Sequence, residues 1–329
     1  MKITILGGAG FLGRKITAHL VRHGGLAGRE VIGLISFDVS PPPPQPDAPF
    51  PYRALSGDIA ELPEAAIPSD TDVVFFLAAV VSAQAEADYD LGMRVNLFGA
   101  LKVIEACRRA AAAGRRPPRV VFTSSIATFS GGQDAKLLDD ARQVPANSYG
   151  AEKAAAELLL QDASRRGFLD AVLLRLPTII VRPGRPNRAA SSFLSAIIRE
   201  PLLGLQTDLP VDQAFAAWIA SPRRAVDWLL HAAAMNTEPM GVDRTVNLPG
   251  ISATVARLLQ ALDEVKPGAS QLVLHRPDPE IAAIVNSWPA AFEALRARTL
   301  GFSAHEPIPD VVRAFVEDDL ADTKAERGM

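Results

Sequence analysis

Short, predominantly apolar runs alternate with longer stretches of helical period along the first half of the chain. The apolar runs fall at residues 3–6, 31–37, 73–77, 120–123 and 172–176. Between them, residues 11–21, 93–112 and 149–164 carry apolar side chains at helical spacing. Strands that are apolar on both faces must be covered on both, and helices between them make parallel pairing the natural connection. The pattern predicts an α/β fold, a doubly wound parallel sheet. Ligands of such a sheet lie beyond the carboxyl ends of its strands.

The prolines at 41–44 cannot continue a ladder, so a stiff loop is expected after the second strand. Beyond Pro183 the helices shorten and prolines become frequent. Residues 243–248 nevertheless read as a strand returning to the main sheet. Ser221-Pro222 reads as an N-cap followed by a first-turn proline. The charged tail from Glu317 is expected to fray.

Composition narrows the function classes. The 329 residues include 34 Lys plus Arg against 37 Asp plus Glu, a net of −3, which gives no footing for a nucleic-acid or polybasic membrane surface. Apolar residues make up 48% of the chain, enough for a sizeable core, yet no uninterrupted apolar run approaches the ~18 residues of a membrane span. The first residues lead into glycines rather than an apolar signal core. Cys107, the only cysteine, excludes an internal disulfide framework and suits a reducing cytoplasm, the expected location. It lies on an apolar helix face and reads as packing. The five histidines show no metal-ligand spacing, so no metal is expected. A hydrolase nucleophile elbow is also missing.

The informative chemistry begins with Gly7-Gly8-Ala9-Gly10-Phe11-Leu12-Gly13, between the first strand and the first helix. Glycines so spaced let the backbone turn tightly, approach a pyrophosphate, and pack helix against strand. Asp38 ends the second strand, 25 residues beyond Gly13. A carboxylate there accepts both ribose hydroxyls of NAD and repels the 2′-phosphate of NADP. Gly57-Asp58-Ile59 follows a third short strand, and Asp58 is placed to meet adenine. These features predict an NAD-binding domain over residues 1–182, with return segments about 218–250. Residues 183–217 and 251–329 are predicted to form a smaller substrate-binding region.

Tyr149 and Lys153, four apart on a predicted helix, share one face. A lysine cation beside a phenol stabilises the phenolate and lowers its pKa. Such a phenol can take a proton from a substrate hydroxyl while hydride leaves the same carbon. Ser125 closes the fourth strand, where its hydroxyl can orient the reacting oxygen. Past the fifth strand, Arg182, Arg185, Arg188, Asn187, Ser191 and Ser192 suit a small hydroxy acid: a guanidinium for the carboxylate, hydroxyls and an amide for the polyol. Ser82 is a further neighbour of the substrate.

With these motifs in order, the chain resembles the extended short-chain dehydrogenase/reductase superfamily, the NAD-dependent epimerase/dehydratase group. The resemblance rests on the glycine turn, Asp38, Asp58, Leu77-Ala78-Ala79, Asn96, Ser125 and Tyr149-x-x-x-Lys153. It implies a Rossmann fold, bound NAD and a catalytic set of Ser125, Tyr149 and Lys153. It also implies cofactor contacts from Gly7, Gly10, Phe11, Leu12, Gly13, Asp38, Asp58, Ile59, Leu77, Ala78, Ala79 and Asn96 beside Tyr149 and Lys153. A homodimer through the helices near 93–112 and 149–164 is implied as well. Stretches at 82–96, 175–178, 181–187, 189–193 and 197–201 are similar to a bacterial branch that oxidises a four-carbon sugar acid at its C2 hydroxyl. Phe129 and Ser130 depart from the superfamily, which often has Tyr and Gly there, and so bear on pocket shape. Two other functions share the N-terminal motifs: a nucleotide-sugar epimerase or dehydratase, and a dinucleotide-sensing regulator without turnover. The intact Ser125, Tyr149 and Lys153 argue against the regulator.

Overall fold

The computed structural model describes residues 1–132, 136–185, 191–303 and 306–329. The central sheet takes β1 (Lys2–Leu6), β2 (Gly33–Asp38), β3 (Tyr52–Ser56), β4 (Val73–Phe76), β5 (Arg119–Ser125) and β6 (Asp170–Leu176). A second, three-stranded sheet uses β7 (Thr178–Ile179), β8 (Ala216–Ala220) and β10 (Ile251–Thr254), while β9 (Thr245–Asn247) returns to the first. The central order is β9-β6-β5-β4-β1-β2-β3, parallel throughout. The order reverses direction beside β1, and the cleft opens at the carboxyl ends there, as an open parallel sheet dictates.

Alternation along the strands explains why both faces are apolar. Ile3, Ile5, Phe75, Val121, Val172 and Leu174 face α1 (Phe11–His23) and the later helix Pro222–Ala234. Leu6, Val74, Phe76, Val120, Phe122 and Leu173 face the helices Gly99–Ala112 and Ser148–Arg165. The interior strands therefore bury successive residues against different helices. Cys107 lies wholly inside the second of these cores, where burial pushes its thiol up to about 12. A third core joins Ile180, Ile197, Ile198, Ile219, Leu258, Leu262, Val311 and Phe315. It carries β8, β10 and the helices Ser192–Leu202, Val255–Val265 and Ile308–Asp318.

The helix expected at 93–112 is longer and not uniform. It runs through Tyr89–Gly92, widens to π-helical turns at Met93–Phe98, and continues as Gly99–Ala112. The widened turn carries Asn96, which is buried. The predicted cap at Ser221 is present: its hydroxyl accepts from the Arg224 N–H, and Pro222 opens the helix.

The tail does not fray, a correction with a clear cause. Its charges are paired across the molecule: Lys15 with Asp319 at 2.7 Å, and Arg223 with Asp318 at 2.7 Å. Thr323 is buried in the last helix, Leu320–Glu326. Arg327 then donates to Glu200 and to the Gly184 carbonyl, each at 2.6 Å. A charged tail frays only where its partners are water. No helix among the described residues is long and apolar enough to cross a membrane.

Candidate active site

The glycine turn is shaped by two close approaches. Gly7 holds φ +94, and a Cβ there would meet the Ala78 nitrogen at 2.7 Å; one on Gly13 would meet the Gly7 carbonyl oxygen at 2.2 Å. The turn therefore packs against the end of β4 on one side and the first turn of α1 on the other. Gly10 caps this 13-residue helix with no side-chain hydrogen bond, so its first N–H groups face the cleft. That is an anion site of the kind a pyrophosphate uses. Asp38 closes the far side of the turn, accepting from the Ala9 N–H at 3.0 Å and the Ser40 N–H at 3.2 Å.

One cleft collects most of the expected residues: Gly10, Phe11, Leu12, Leu77, Ala79, Ser82, Ser125, Tyr149, Arg182, Arg185, Ser191 and Ser192 line it together. Others stand behind that wall. The Asp58 carboxylate caps the turn Ile59–Glu61 and pairs with Arg94 at 2.7 Å. Ile59 is buried against the helices, and Ala78 is half-buried with its N–H on the Leu6 carbonyl. Asn96 is bonded on both sides of its amide, to the Val80 backbone at 2.9 and 3.1 Å and to Glu152 at 2.6 Å. It braces the loop after β4. Asn187 and Arg188 lie outside the described residues.

Tyr149 sits in the first turn of Ser148–Arg165. Asn147 caps that helix, accepting from the Gly150 N–H at 2.7 Å. The Ser130 hydroxyl accepts from the Ala146 N–H at 2.8 Å and the Asn147 amide at 3.0 Å. A residue that departs from the superfamily thus fixes the approach to Tyr149. Phe129, the other departure, packs edge-on against Phe292, 5.7 Å between ring centres, and brings the C-terminal region to the cleft.

Burial pushes the Tyr149 phenol up to about 12; the Arg182 charge and the neighbouring Ser125 hydroxyl act against that rise. Lys153 is buried as well, which pulls its ammonium down to about 7, with Glu157 and Glu152 acting against the fall. Its Nζ donates to the Thr123 carbonyl at 3.0 Å and lies 5.8 Å from the centre of the Tyr149 ring. Lys153 thus shares a helix face with Tyr149, with its ammonium bonded to the β5 backbone. Arg182 is a further cation acting to lower the Tyr149 pKa.

Several contributors were not legible from the sequence. Arg175 on β6 makes a buried ion pair with Glu157 at 2.7 Å and covers the Phe129 ring. Arg199 and Trp288 line the cleft, from the helix Ser192–Leu202 and from the C-terminal region. An arginine inside Phe193-Leu194-Ser195-Ala196-Ile197-Ile198-Arg199 was a usable signal, since an apolar helix rarely buries a charge without a task. Trp288 had no such signal.

A dinucleotide turn, a Ser/Tyr/Lys group and a cleft between them define a nicotinamide-dependent oxidoreductase. The model of the NAD dependent epimerase/dehydratase family matches residues 3–213, and the chain belongs to that family. It is an NAD-dependent oxidoreductase, and the uncapped helix and Asp38 fit that cofactor. The D-erythronate dehydrogenase of Cupriavidus necator is 45% identical over 97% of this chain and 98% of its own. That of Haemophilus influenzae is 37% identical over 97% of this chain and 100% of its own. Among solved structures, the nucleoside-diphosphate-sugar epimerase from Agrobacterium tumefaciens superposes with a TM-score of 0.94 at 42% identity, covering 98% of this chain and 95% of that one.

Proposed function

We propose that the protein oxidises the C2 hydroxyl of a small sugar acid, D-erythronate, to 2-oxo-D-erythronate. Bound NAD⁺ supplies the acceptor for the C2 hydride. Ser125 orients the reacting oxygen, and Tyr149, as its phenolate, takes the hydroxyl proton as the C2–H bond breaks. Arg182 lowers the phenol's hold on its proton and faces the acid end of the substrate. Lys153 acts by holding the Tyr149 helix against β5. The observation that carries this reading is a half-buried guanidinium, Arg182, lining one cleft with Tyr149 in a chain 45% identical to a named D-erythronate dehydrogenase. The one buried cysteine fits a cytoplasmic location.

The likeness to a nucleoside-diphosphate-sugar epimerase keeps a second reading in view. Calorimetric titration of the NAD complex separates the two. Binding of four-carbon sugar acids without UDP-sugars supports the dehydrogenase. The opposite order contradicts it.

We also propose a homodimer. The two outer helices expose Tyr89, Phe98, Leu101, Leu158 and Leu159, an apolar stripe that water disfavours and a second copy would cover.

A further inference from the structure

We propose that Arg199 is a second anion anchor in the cleft, forming with Arg182 a paired clamp for the substrate carboxylate. The inference rests on the sugar-acid reading and adds the residue that selects the charged end of that substrate.

Arg199 is 1% exposed, yet it lines the cleft. Two of its three nitrogens are fixed. Nε donates to Glu200 at 2.8 Å, and Nη1 donates to the Arg182 carbonyl at 2.7 Å. The third, Nη2, is buried and has no hydrogen-bond partner among the described residues. A guanidinium nitrogen left without an acceptor in the interior costs free energy, more than a neutral donor would. Its environment is also short of negative charge. Glu200 is the carboxylate that bonds it, and both Glu200 oxygens are engaged by Arg327, at 2.6 and 2.9 Å. Glu200 is thus shared by two guanidinium groups, while the Arg182 Nε donates to the Ile179 carbonyl at 3.1 Å. Burial lowers the pKa of both Arg182 and Arg199; the Arg199 charge adds to the fall at Arg182, and the Arg327 charge adds to that at Arg199.

An anion entering the cleft removes both defects. A carboxylate has two oxygens and so can meet Arg182 and the Arg199 Nη2 together, with charge-assisted hydrogen bonds to each. A neutral polyol or an amide satisfies neither charge. The docked tail gains a role as well. Through Glu200, Arg327 holds Arg199 at a fixed angle.

The test compares kcat/KM for D-erythronate and its neutral isostere D-erythronamide in the wild type, Arg199→Met and Arg199→Lys. Melting temperature and NADH binding report folding. The clamp predicts an acid-over-amide preference in the wild type that falls about 10- to 100-fold in Arg199→Met, the span of a charged hydrogen bond. Arg199→Lys, which keeps the charge and so tests the site even if the methionine variant does not fold, restores part of it. A preference unchanged in both variants, or equal losses for acid and amide, overturns the clamp. Calorimetric binding of D-erythronate to the wild-type NAD complex separates the two readings. Binding without turnover contradicts the dehydrogenase and leaves the clamp to be judged by weaker binding in Arg199→Lys. No binding overturns both.

Discussion

The Lys153 ammonium donates to the Thr123 carbonyl at 3.0 Å, two residues before Ser125 on the same strand. This bond ties the helix carrying Tyr149 to the strand carrying Ser125, so the two hydroxyl groups keep their spacing. Arg182 lines the same cleft as Tyr149, and its charge acts to lower the phenol's pKa.

Lys153 gives the protein a pH-dependent stability of definite sign. Its folded pKa, about 7, lies below the unfolded value of 10.5. Between those values the unfolded chain binds more protons, so stability rises with pH. The penalty is full below about 7 and vanishes as pH passes 10.5. Lys153→Met removes this slope. Melting curves at neutral and alkaline pH should show the wild type gaining on the variant as pH rises. A constant gap between them contradicts the buried charge.

Asp38 should decide between cofactors. Its carboxylate stands at the end of β2, against the glycine turn, where a 2′-phosphate would be repelled. Asp38→Ser is expected to raise KM for NAD about tenfold and admit NADP, the weight of one charged hydrogen bond. Initial rates with the two cofactors test it. An unchanged NAD preference would show that the ribose lies elsewhere.

The buried pair of Arg175 and Glu157 predicts a large stability loss from a small change. Glu157 accepts from Arg175 at 2.7 Å and from the Gln143 amide at 2.8 Å. Glu157→Gln leaves the Arg175 guanidinium uncompensated inside the protein, which costs about 3–5 kcal/mol. Chemical denaturation measures it. A loss under about 1 kcal/mol, the scale of an exposed pair, contradicts the burial.

The dimer has its own test. Leu158, 65% exposed, lies on the helix Ser148–Arg165 and is not among the residues lining the cleft. Leu158→Glu is expected to convert the dimer to a monomer in light scattering. A wild-type monomer refutes the proposal outright.

Much of this was readable from the sequence because strand and helix periods differ and because the glycine turn has one physical purpose. The five apolar runs became β1, β2, β4, β5 and β6, with β2 shifted from 31–37 to Gly33–Asp38. Tyr149 and Ser125 came together because adjacent elements carry them. What stayed hidden depends on long-range contacts. Nothing local says that Arg327 reaches Glu200, 127 residues earlier, or that Trp288 returns to the cleft. The three-stranded sheet of β7, β8 and β10 was missed for the same reason: its strands are short and pair across intervening helices. Lys153 was legible as the helix-face neighbour of Tyr149, but its bond to the Thr123 carbonyl was not.

The central claim is that Tyr149 takes the proton of a sugar-acid hydroxyl in an NAD-bound cleft. Purified wild type and Tyr149→Phe, each given NAD and D-erythronate, test it through NADH absorbance. The account predicts NADH from the wild type and a loss of about 100-fold or more in the variant, with NAD binding retained. A wild type that forms no NADH, or a variant that forms it at the wild-type rate, contradicts it.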